Sequence, residues 1–232
     1  MRGQLGVAIL SAASLLVGAT SVPARKYSPA FPREFATEVK TSNGFAIWDV
    51  TWKKGKSTGM RELALDQVTV TLTEGAVKVI RSDGSWDIQQ RRFGSVSFQS
   101  KGTVVEEQGM SDAPSRAIVF QIQDMTPTKW PTTEGVPGMF PRVGAVELFE
   151  TDRIRVWDAE WSPGERIGRH LHYIETAAVF LNGGMIRTIE NGVPNPPSAR
   201  KTGDVILSPP LKVPHEEEQV EGTPRAIWVE FK

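Results

Sequence analysis

The sequence predicts an all-β protein made of two copies of one sandwich or barrel unit. Short runs of alternating apolar and polar residues are separated by turn residues, and no segment has the spacing of a convincing amphipathic helix. One pattern of residues also recurs along the chain at a constant offset. The 232 residues include 21 glycines and 16 prolines, a composition that suits many short strands joined by turns.

The repeat is clearest around four tryptophans. Phe45–Gly55 (FAIWDVTWKKG) matches Ile154–Gly164 (IRVWDAEWSPG), and Trp48 and Trp157 are 109 positions apart (157 − 48 = 109). The same offset joins further pairs, which are Asp49 with Asp158, Trp52 with Trp161, Gly94 with Gly203 and Arg116 with Arg225. One register held over this length predicts two copies of a unit of about 90 residues, rather than two unrelated domains.

Each copy contains recognisable strands. In the first, β-branched residues alternate over Gln67–Thr73, a turn follows at Glu74–Gly75, and a second strand begins at Ala76. In the second copy we expect a strand over Thr176–Leu181, a turn at Asn182–Gly184, a strand from Met185 and a turn at Asn191–Gly192.

The ends of the two units are predicted from composition. Residues 1–24 have a positive start, an apolar run over Leu5–Gly18 and small residues before Ala24, which predicts a signal peptide and an exported, periplasmic or secreted protein. An uncleaved membrane anchor is the alternative. The proline-rich segment 125–142 is the predicted linker between an N-terminal unit (25–124) and a C-terminal unit (143–232).

Composition restricts the partners. The formal net charge is zero, so electrostatics gives no reason to expect nucleic acid, or a membrane after signal cleavage, as a partner. Cysteine is absent, which excludes disulfides, thiolate metal ligands and a cysteine nucleophile. We expect a small-molecule ligand or substrate, and the two tryptophan-rich units are compatible with a homodimer.

The chain has three histidines, and their placement predicts a metal site. His170 and His172 are separated by one residue and therefore point to the same side of a strand. His215, on a distant segment, can complete a trio of imidazoles around one divalent ion, as in many catalytic metal sites. The alternative is that all three are ordinary strand or loop residues.

Together these features resemble the cupin superfamily in a two-domain form. Its first motif (Gly, five residues, His-x-His, three or four residues, Glu, six residues, Gly) is matched at Gly164, His170, His172, Thr176 and Gly183. Its second is matched at Gly203, Pro209, His215 and Gln219, with one inserted residue near Pro210 and one glycine lost. The resemblance implies two tandem jelly-roll β-barrels with metal at the mouth of the second.

The departure from this pattern is a threonine where the family often has a glutamate ligand. Thr176 occupies that position, and adjacent Glu175 reaches the same face only through a bulge. The sequence therefore predicts a three-histidine site without a carboxylate ligand, which favours an anionic substrate, an ionised hydroxyl or a bound hydroxide. Imidazoles suit Fe, Zn, Cu or Ni without distinguishing among them, and manganese is disfavoured.

The first copy lacks these ligands. At the offset of 109, His170 corresponds to Arg61, His172 to Leu63 and His215 to Glu106, so we expect a first barrel without a metal site. An inward-pointing Arg61 is free to pair with Glu106 in this interpretation.

The remaining candidates follow from strand parity. Glu217 shares the face of His215 and is the candidate general base, although a Glu216–Glu218 run is commonly a solvated face. Thr176, Gln219 and Arg187 are candidate substrate-binding residues, and Gln219 has the alternative role of closing a turn. The tryptophan pairs are assigned to packing. The leading hypothesis, by resemblance, is a metal-dependent dioxygenase acting on a small oxygenated or phenolic molecule. The alternatives are a non-enzymatic binding protein and an isomerase or lyase.

Overall fold

The computed structural model describes residues 27–126 and 129–232, and all of the regular structure in these ranges is β-strand. The predicted signal peptide lies outside the described residues. Within them, no helix is long and apolar enough to cross a membrane.

Ten strands occupy the first half of the described chain. They are β1 (Ser28–Pro29), β2 (Ala36–Thr41), β3 (Phe45–Trp52), β4 (Arg61–Glu62), β5 (Asp66–Thr73), β6 (Gly75–Arg81), β7 (Trp86–Arg91), β8 (Val96–Gln99), β9 (Val104–Gly109) and β10 (Ser115–Ile122). They form two five-stranded sheets in the orders β1-β4-β9-β6-β7 and β2-β3-β10-β5-β8.

Eight strands occupy the second half. They are β11 (Ala145–Glu150), β12 (Ile154–Glu160), β13 (Arg166–His170), β14 (Thr176–Glu190), β15 (Val193–Pro194), β16 (Ser198–Arg200), β17 (Val205–Ser208) and β18 (His215–Phe231). The sheet order β11-β12-β18-β14, with β17 beside β14, repeats the order β2-β3-β10-β5-β8. The fold is all-β, with two tandem jelly-roll barrels, as predicted.

The predicted turn at Asn182–Gly184 is wrong. The chain stays in strand β14 there, and two of the three register shifts in the pairing of β14 with β18 lie at this point, between Phe180 and Asn182 and between Asn182 and Gly184. Glycine is needed here because the backbones of β14 and β18 approach closely. A Cβ on Gly184 would meet the Glu221 carbonyl oxygen at 2.5 Å. The turn predicted at Asn191–Gly192 is present, with positive φ at both residues.

Three apolar clusters form the core. One cluster lies between the barrels, where β3, β5 and β10 pack against β12, β14 and β18. Strands buried on both faces read as continuous apolar runs, as in 117–120 and 177–181. The other two clusters fill the barrel interiors, with Trp48 and Trp52 in the first and Trp157 and Trp161 in the second. The tryptophan pairs are therefore packing residues, as expected.

The repeat extends into the segment predicted as a linker. Phe31 stacks on Trp48 with ring centroids 4.8 Å apart, and Phe140 stacks on Trp157 at 4.9 Å. Met139 is also buried in the second barrel. Residues 139–142 thus repeat residues 30–33 at the same offset of 109 and pack as part of the second barrel. The unit boundaries at 25–124 and 143–232 stay predictions.

Candidate metal centre

The strand pairing brings the three histidines together in the second barrel. His170 ends β13 and pairs with His215, the first residue of β18, while His172 follows two positions later. The ring centroids of His170 and His215 lie 4.4 Å apart, and that of His172 lies 5.5 Å from His170 and 5.2 Å from His215. All three side chains are buried.

Hydrogen bonds at Nδ1 orient two of the imidazoles. His170 Nδ1 lies 2.9 Å from the Gly168 carbonyl oxygen, and His172 Nδ1 lies 2.9 Å from Ser208 Oγ. The Nε2 atoms of both rings are buried and have no hydrogen-bond partner in the described part of the chain. Buried polar atoms normally have partners, and an outer contact at Nδ1 with a free Nε2 is the usual arrangement of a metal-binding histidine.

Deleting the hydroxyl that orients His172 should weaken metal binding. We expect Ser208→Ala to lower the metal affinity by about 10–100-fold, the usual effect of losing an outer partner of a ligand. The measurement is a competition titration against a chelator. Ser95→Ala removes a hydroxyl that donates to Thr71 in the first barrel and should leave the affinity unchanged. Equal affinity in Ser208→Ala and the unaltered protein would contradict the orienting role.

A carboxylate completes the cluster. One ligand atom from each of His170, His172, His215 and Glu217 lies within 4.8 Å of all the others, and all four residues are buried. Glu217 Oε1 is 3.7 Å from His215 Nε2, and Oε2 accepts a hydrogen bond of 2.8 Å from Trp161 Nε1. The structure thus places a carboxylate at ligand distance among the imidazoles, where the sequence predicted Glu217 only as a general base and no carboxylate ligand. Strand alternation identified the face of Glu217 correctly, but the side-chain reach came only with the coordinates.

The protonation states suit cation binding. Burial lowers the pKa of His170, and it lowers that of His172 to about 3, so both rings are neutral near pH 7. Burial alone would also lower the pKa of His215, but the nearby carboxylate of Glu217, 3.7 Å from Nε2, raises it. For Glu217, burial is outweighed by His215, the other histidines and Arg142, which together lower its pKa to about 2. His170, His172 and Glu217 are thus in the forms that bind metal, whereas His215 binds a metal only after losing the proton that Glu217 favours.

The structure places the three predicted substrate-binding residues in different surroundings. Thr176 is buried near His172 beside a cavity of about 180 Å³, and its Oγ1 has no partner among the described residues. Gln219 donates its amide to the Gly222 carbonyl within strand β18, so its side chain is engaged there, and it is not part of the cluster. Arg187 is paired with Glu218, because strand parity puts both on the face opposite Glu217. The alternative ligand Glu175 lies against Gly44 of the first barrel and not in the cluster.

The residues of the first barrel that correspond to the histidines differ in part from those expected from the sequence. Arg61 pairs in register with Val105, as His170 pairs with His215, so the residue equivalent to His215 is Val105 and not Glu106. The extra residue near Pro210 shifts the offset by one at this point. The guessed pair of Arg61 with Glu106 is absent among the described contacts, since Arg61 donates to backbone carbonyls and Glu106 accepts from Ser57.

The carboxylate of Glu107 occupies the interior of that barrel. Its oxygens accept from Trp52 Nε1 at 3.0 Å, from Arg33 at 3.1 Å and from Arg91 at 2.7 Å. Trp52 with Glu107 therefore corresponds to Trp161 with Glu217. This pair was not predicted from the sequence, because the constant offset of 109 aligns Glu107 with Glu216 instead of Glu217.

These features define a two-barrel cupin fold with a candidate metal centre in the second barrel. No protein-family model matches the sequence, and a search of curated proteins finds no match either. Similarity to solved structures is clear. A cupin 2 conserved barrel domain protein from Leptotrichia buccalis matches with a TM-score of 0.56 at 12% identity, over 85% of this chain and 88% of that one.

Two enzymes of known structure are similar to the same extent. A salicylate 1,2-dioxygenase from Pseudaminobacter salicylatoxidans matches with a TM-score of 0.57 at 11% identity, over 84% of this chain and 75% of that one. An oxalate decarboxylase from Lactobacillus farciminis matches with a TM-score of 0.57 at 14% identity, over 82% and 77% of the two chains. At these identities the likeness establishes the cupin fold.

Proposed function

We propose that this chain is an exported metalloenzyme that binds one divalent metal in its second barrel and acts, like a dioxygenase, on a small oxygenated or phenolic molecule. The observation that carries the proposal is the buried cluster of His170, His172, His215 and Glu217, whose ligand atoms lie within 4.8 Å of one another. Solved structures with this fold include a salicylate dioxygenase and an oxalate decarboxylase, both named for small oxygenated substrates.

The donor set fits a divalent transition metal. Three imidazole nitrogens suit Fe, Zn, Cu or Ni. The carboxylate of Glu217 removes the argument against manganese, since carboxylate ligands suit that ion. It also compensates part of the metal charge. A redox-active metal held there would supply oxidative chemistry, and a redox-inert one would polarise a substrate oxygen as a Lewis acid.

Neighbouring residues orient the candidate metal ligands and keep the cluster away from bulk water. Ser208 and the Gly168 carbonyl fix the rings of His172 and His170, and burial excludes bulk water from the cluster. A general base works best with a pKa near the operating pH. The pKa of Glu217, lowered to about 2 by its neighbours, therefore favours a ligand role over the proton-transfer role predicted from the sequence.

The second candidate is a non-enzymatic small-molecule-binding protein. The observation that favours it is the engagement of Glu217 with His215 and Trp161, which leaves the described cluster without a further carboxylate for acid–base chemistry. Export through residues 1–24 and assembly as a homodimer belong to both candidates as predictions from the sequence.

Elemental analysis followed by oxygen-uptake assays separates the two candidates. We expect about one transition-metal ion per chain in protein purified without chelators, as one four-ligand centre requires. A panel of catechols and flavonols should then include a substrate that drives oxygen consumption, and consumption should stop after metal removal. Stoichiometric metal with no turnover of any panel member supports the binding protein, and absence of bound metal contradicts both candidates.

A further inference from the structure

A cavity of about 150 Å³ opens beside the candidate metal centre. Its walls include the aromatic side chains of Trp161, Phe180 and Trp228, and Glu217 and Arg200 contribute charged groups. The Trp228 side chain is 2% exposed, and its Nε1 is a buried donor without a hydrogen-bond partner among the described residues. The cavity thus has aromatic walls and lies next to the cluster.

The first barrel shows what fills the equivalent space there. Glu107 is held by Arg33 from one side and by Arg91 from the other, and the Arg91 guanidinium also lies 4.0 Å from the Trp52 ring centroid. Two arginines and one tryptophan N–H therefore share one carboxylate inside this barrel, while Arg33 Nε and Arg91 Nη1 stay buried without a hydrogen-bond partner among the described residues.

The same two arginines recur in the second barrel without their carboxylate. Arg142 and Arg200 lie 109 positions after Arg33 and Arg91, and Arg200 pairs with Gly184 as Arg91 pairs with Gly75. Glu217 lies in the histidine cluster and makes no hydrogen bond or ion pair with either arginine among the described contacts, although the charge of nearby Arg142 contributes to its lowered pKa. The buried Nε and Nη2 atoms of Arg142 have no hydrogen-bond partner in the described chain.

Arg200 is the one of these two arginines that lines the cavity. Within the described residues its guanidinium has no carboxylate partner and lies over the Phe180 ring, 5.6 Å from the centroid. It lines the cavity directly, opposite a buried aromatic wall. A guanidinium that is partly removed from water and lacks a counter-ion favours a planar oxyanion, which it can bind through two parallel hydrogen bonds.

We propose that this cavity binds a small organic carboxylate with an apolar or aromatic body, and that Arg200 is the residue that anchors the carboxylate. The inference deepens the proposed function by naming the substrate class of the same site. The ligand carboxylate takes the role that Glu107 has beside Arg91 in the first barrel, and its body packs on the aromatic walls. The volume, well below the roughly 300–1,000 Å³ of drug-sized sites, limits the ligand to a small molecule.

Calorimetric titration with benzoate, and with malonate as an aliphatic counterpart, tests the assignment. The protein is used whole and both metal-free and metal-loaded, and benzamide serves as the uncharged analogue. We expect saturable benzoate binding, much weaker benzamide binding, and a loss of benzoate affinity of about tenfold or more in Arg200→Met, as expected for a charge-assisted hydrogen bond. Arg200→Lys keeps the charge and should recover part of the affinity.

Arg166→Gln is the matched control, because Arg166 is exposed and already paired with Glu216 and Glu218. It should change the affinity less than twofold, in line with the small effect of exposed ion pairs. The proposal is overturned if neither carboxylate binds saturably, if Arg200→Met binds benzoate as well as the unaltered protein, or if Arg166→Gln loses as much affinity. Binding by metal-free protein keeps this result separate from the metal and turnover tests.

Discussion

Replacing His172 with alanine is expected to abolish metal binding by the second barrel. His172 supplies a buried Nε2 that has no other partner among the described residues, and its loss leaves only two imidazoles and one carboxylate. The affinity should fall by more than the roughly 10–100-fold that removal of an outer contact costs. Elemental analysis of purified protein should therefore change from about one ion per chain to almost none, as one centre per chain requires.

Thermal unfolding gives an independent measure of the same loss. A ligand that binds only the folded state stabilises it by about 2.7 kcal/mol when its free concentration is a hundredfold above Kd. Added metal should therefore raise the melting temperature of the unaltered protein and leave that of His172→Ala unchanged. His172→Gln, which keeps most of the side-chain volume, separates loss of the ligand from damage to packing.

The control for this experiment lies in the first barrel. Arg61 is the counterpart of His170 there, and Arg61→Ala should retain full metal content because no histidine lies nearby. Full metal content in both His172→Ala and His172→Gln would show that the ligand assignment is wrong.

Replacing Glu107 with glutamine is expected to lower the free energy of unfolding by about 3–5 kcal/mol, the usual effect of breaking a buried ion pair by removing one partner. Arg33 and Arg91 both pair with this carboxylate, and their side chains are 6% and 12% exposed. The neutral amide leaves two largely buried guanidinium groups without a counter-charge. Denaturant titration should show the first barrel unfolding at a lower concentration than in the unaltered protein.

The pH dependence of this loss has a defined sign. Burial would raise the pKa of Glu107, but Arg91, Arg33 and the Trp52 hydrogen bond lower it from 4.5 to about 2. A carboxylate with a depressed folded-state pKa stabilises fully above its unfolded value and loses that effect as the pH falls towards the folded value. The stability difference between the unaltered protein and Glu107→Gln should therefore shrink between about pH 4.5 and pH 2, by about 3 kcal/mol.

Glu106→Gln is the matched control, since this neighbouring carboxylate is bonded to exposed Ser57. It should change the free energy of unfolding by less than about 0.5 kcal/mol, as is usual for surface positions. If Glu107→Gln is as stable as Glu106→Gln at pH 7, the ion cluster does not stabilise the first barrel.

The two barrels use one structural position for different purposes. Trp52 and Trp161 each donate to a buried glutamate, but Glu107 is neutralised by arginines while Glu217 faces three histidines. The arginines equivalent to those of the first barrel persist in the second without that partner. The same scaffold therefore holds an ion cluster in one copy, and candidate metal ligands with an arginine that lacks a carboxylate partner among the described residues in the other.

Much of this arrangement was predictable from the sequence. The shared offset of Trp48 and Trp157 predicted the duplication, and period-two alternation predicted strands such as Asp66–Thr73. The His-x-His spacing and the resemblance to cupin motifs directed attention to His170, His172 and His215. These predictions succeed because strand alternation and the internal repeat can both be read from residue types and their spacing along the chain.

Errors arose where distant strands meet. The turn expected at Asn182–Gly184 is a crossing of two long strands, whose close approach only the partner strand reveals. The offset of 109 slipped by one residue before His215, so that Val105 rather than Glu106 is its counterpart. The alternation of residues along one strand does not reveal such a one-residue insertion, because the pattern is equally regular before and after it.

The sequence by itself determined the all-β class, the duplication and which half carries the histidines, since all three depend on residue type and local spacing. Only the tertiary structure decided that Glu217 joins the imidazoles, that Arg187 is committed to Glu218, and that Arg200 lacks a carboxylate partner among the described residues. The physical reason is that a charged side chain pairs with whatever lies within a few ångströms. That distance is set by the packing of strands far apart in the chain.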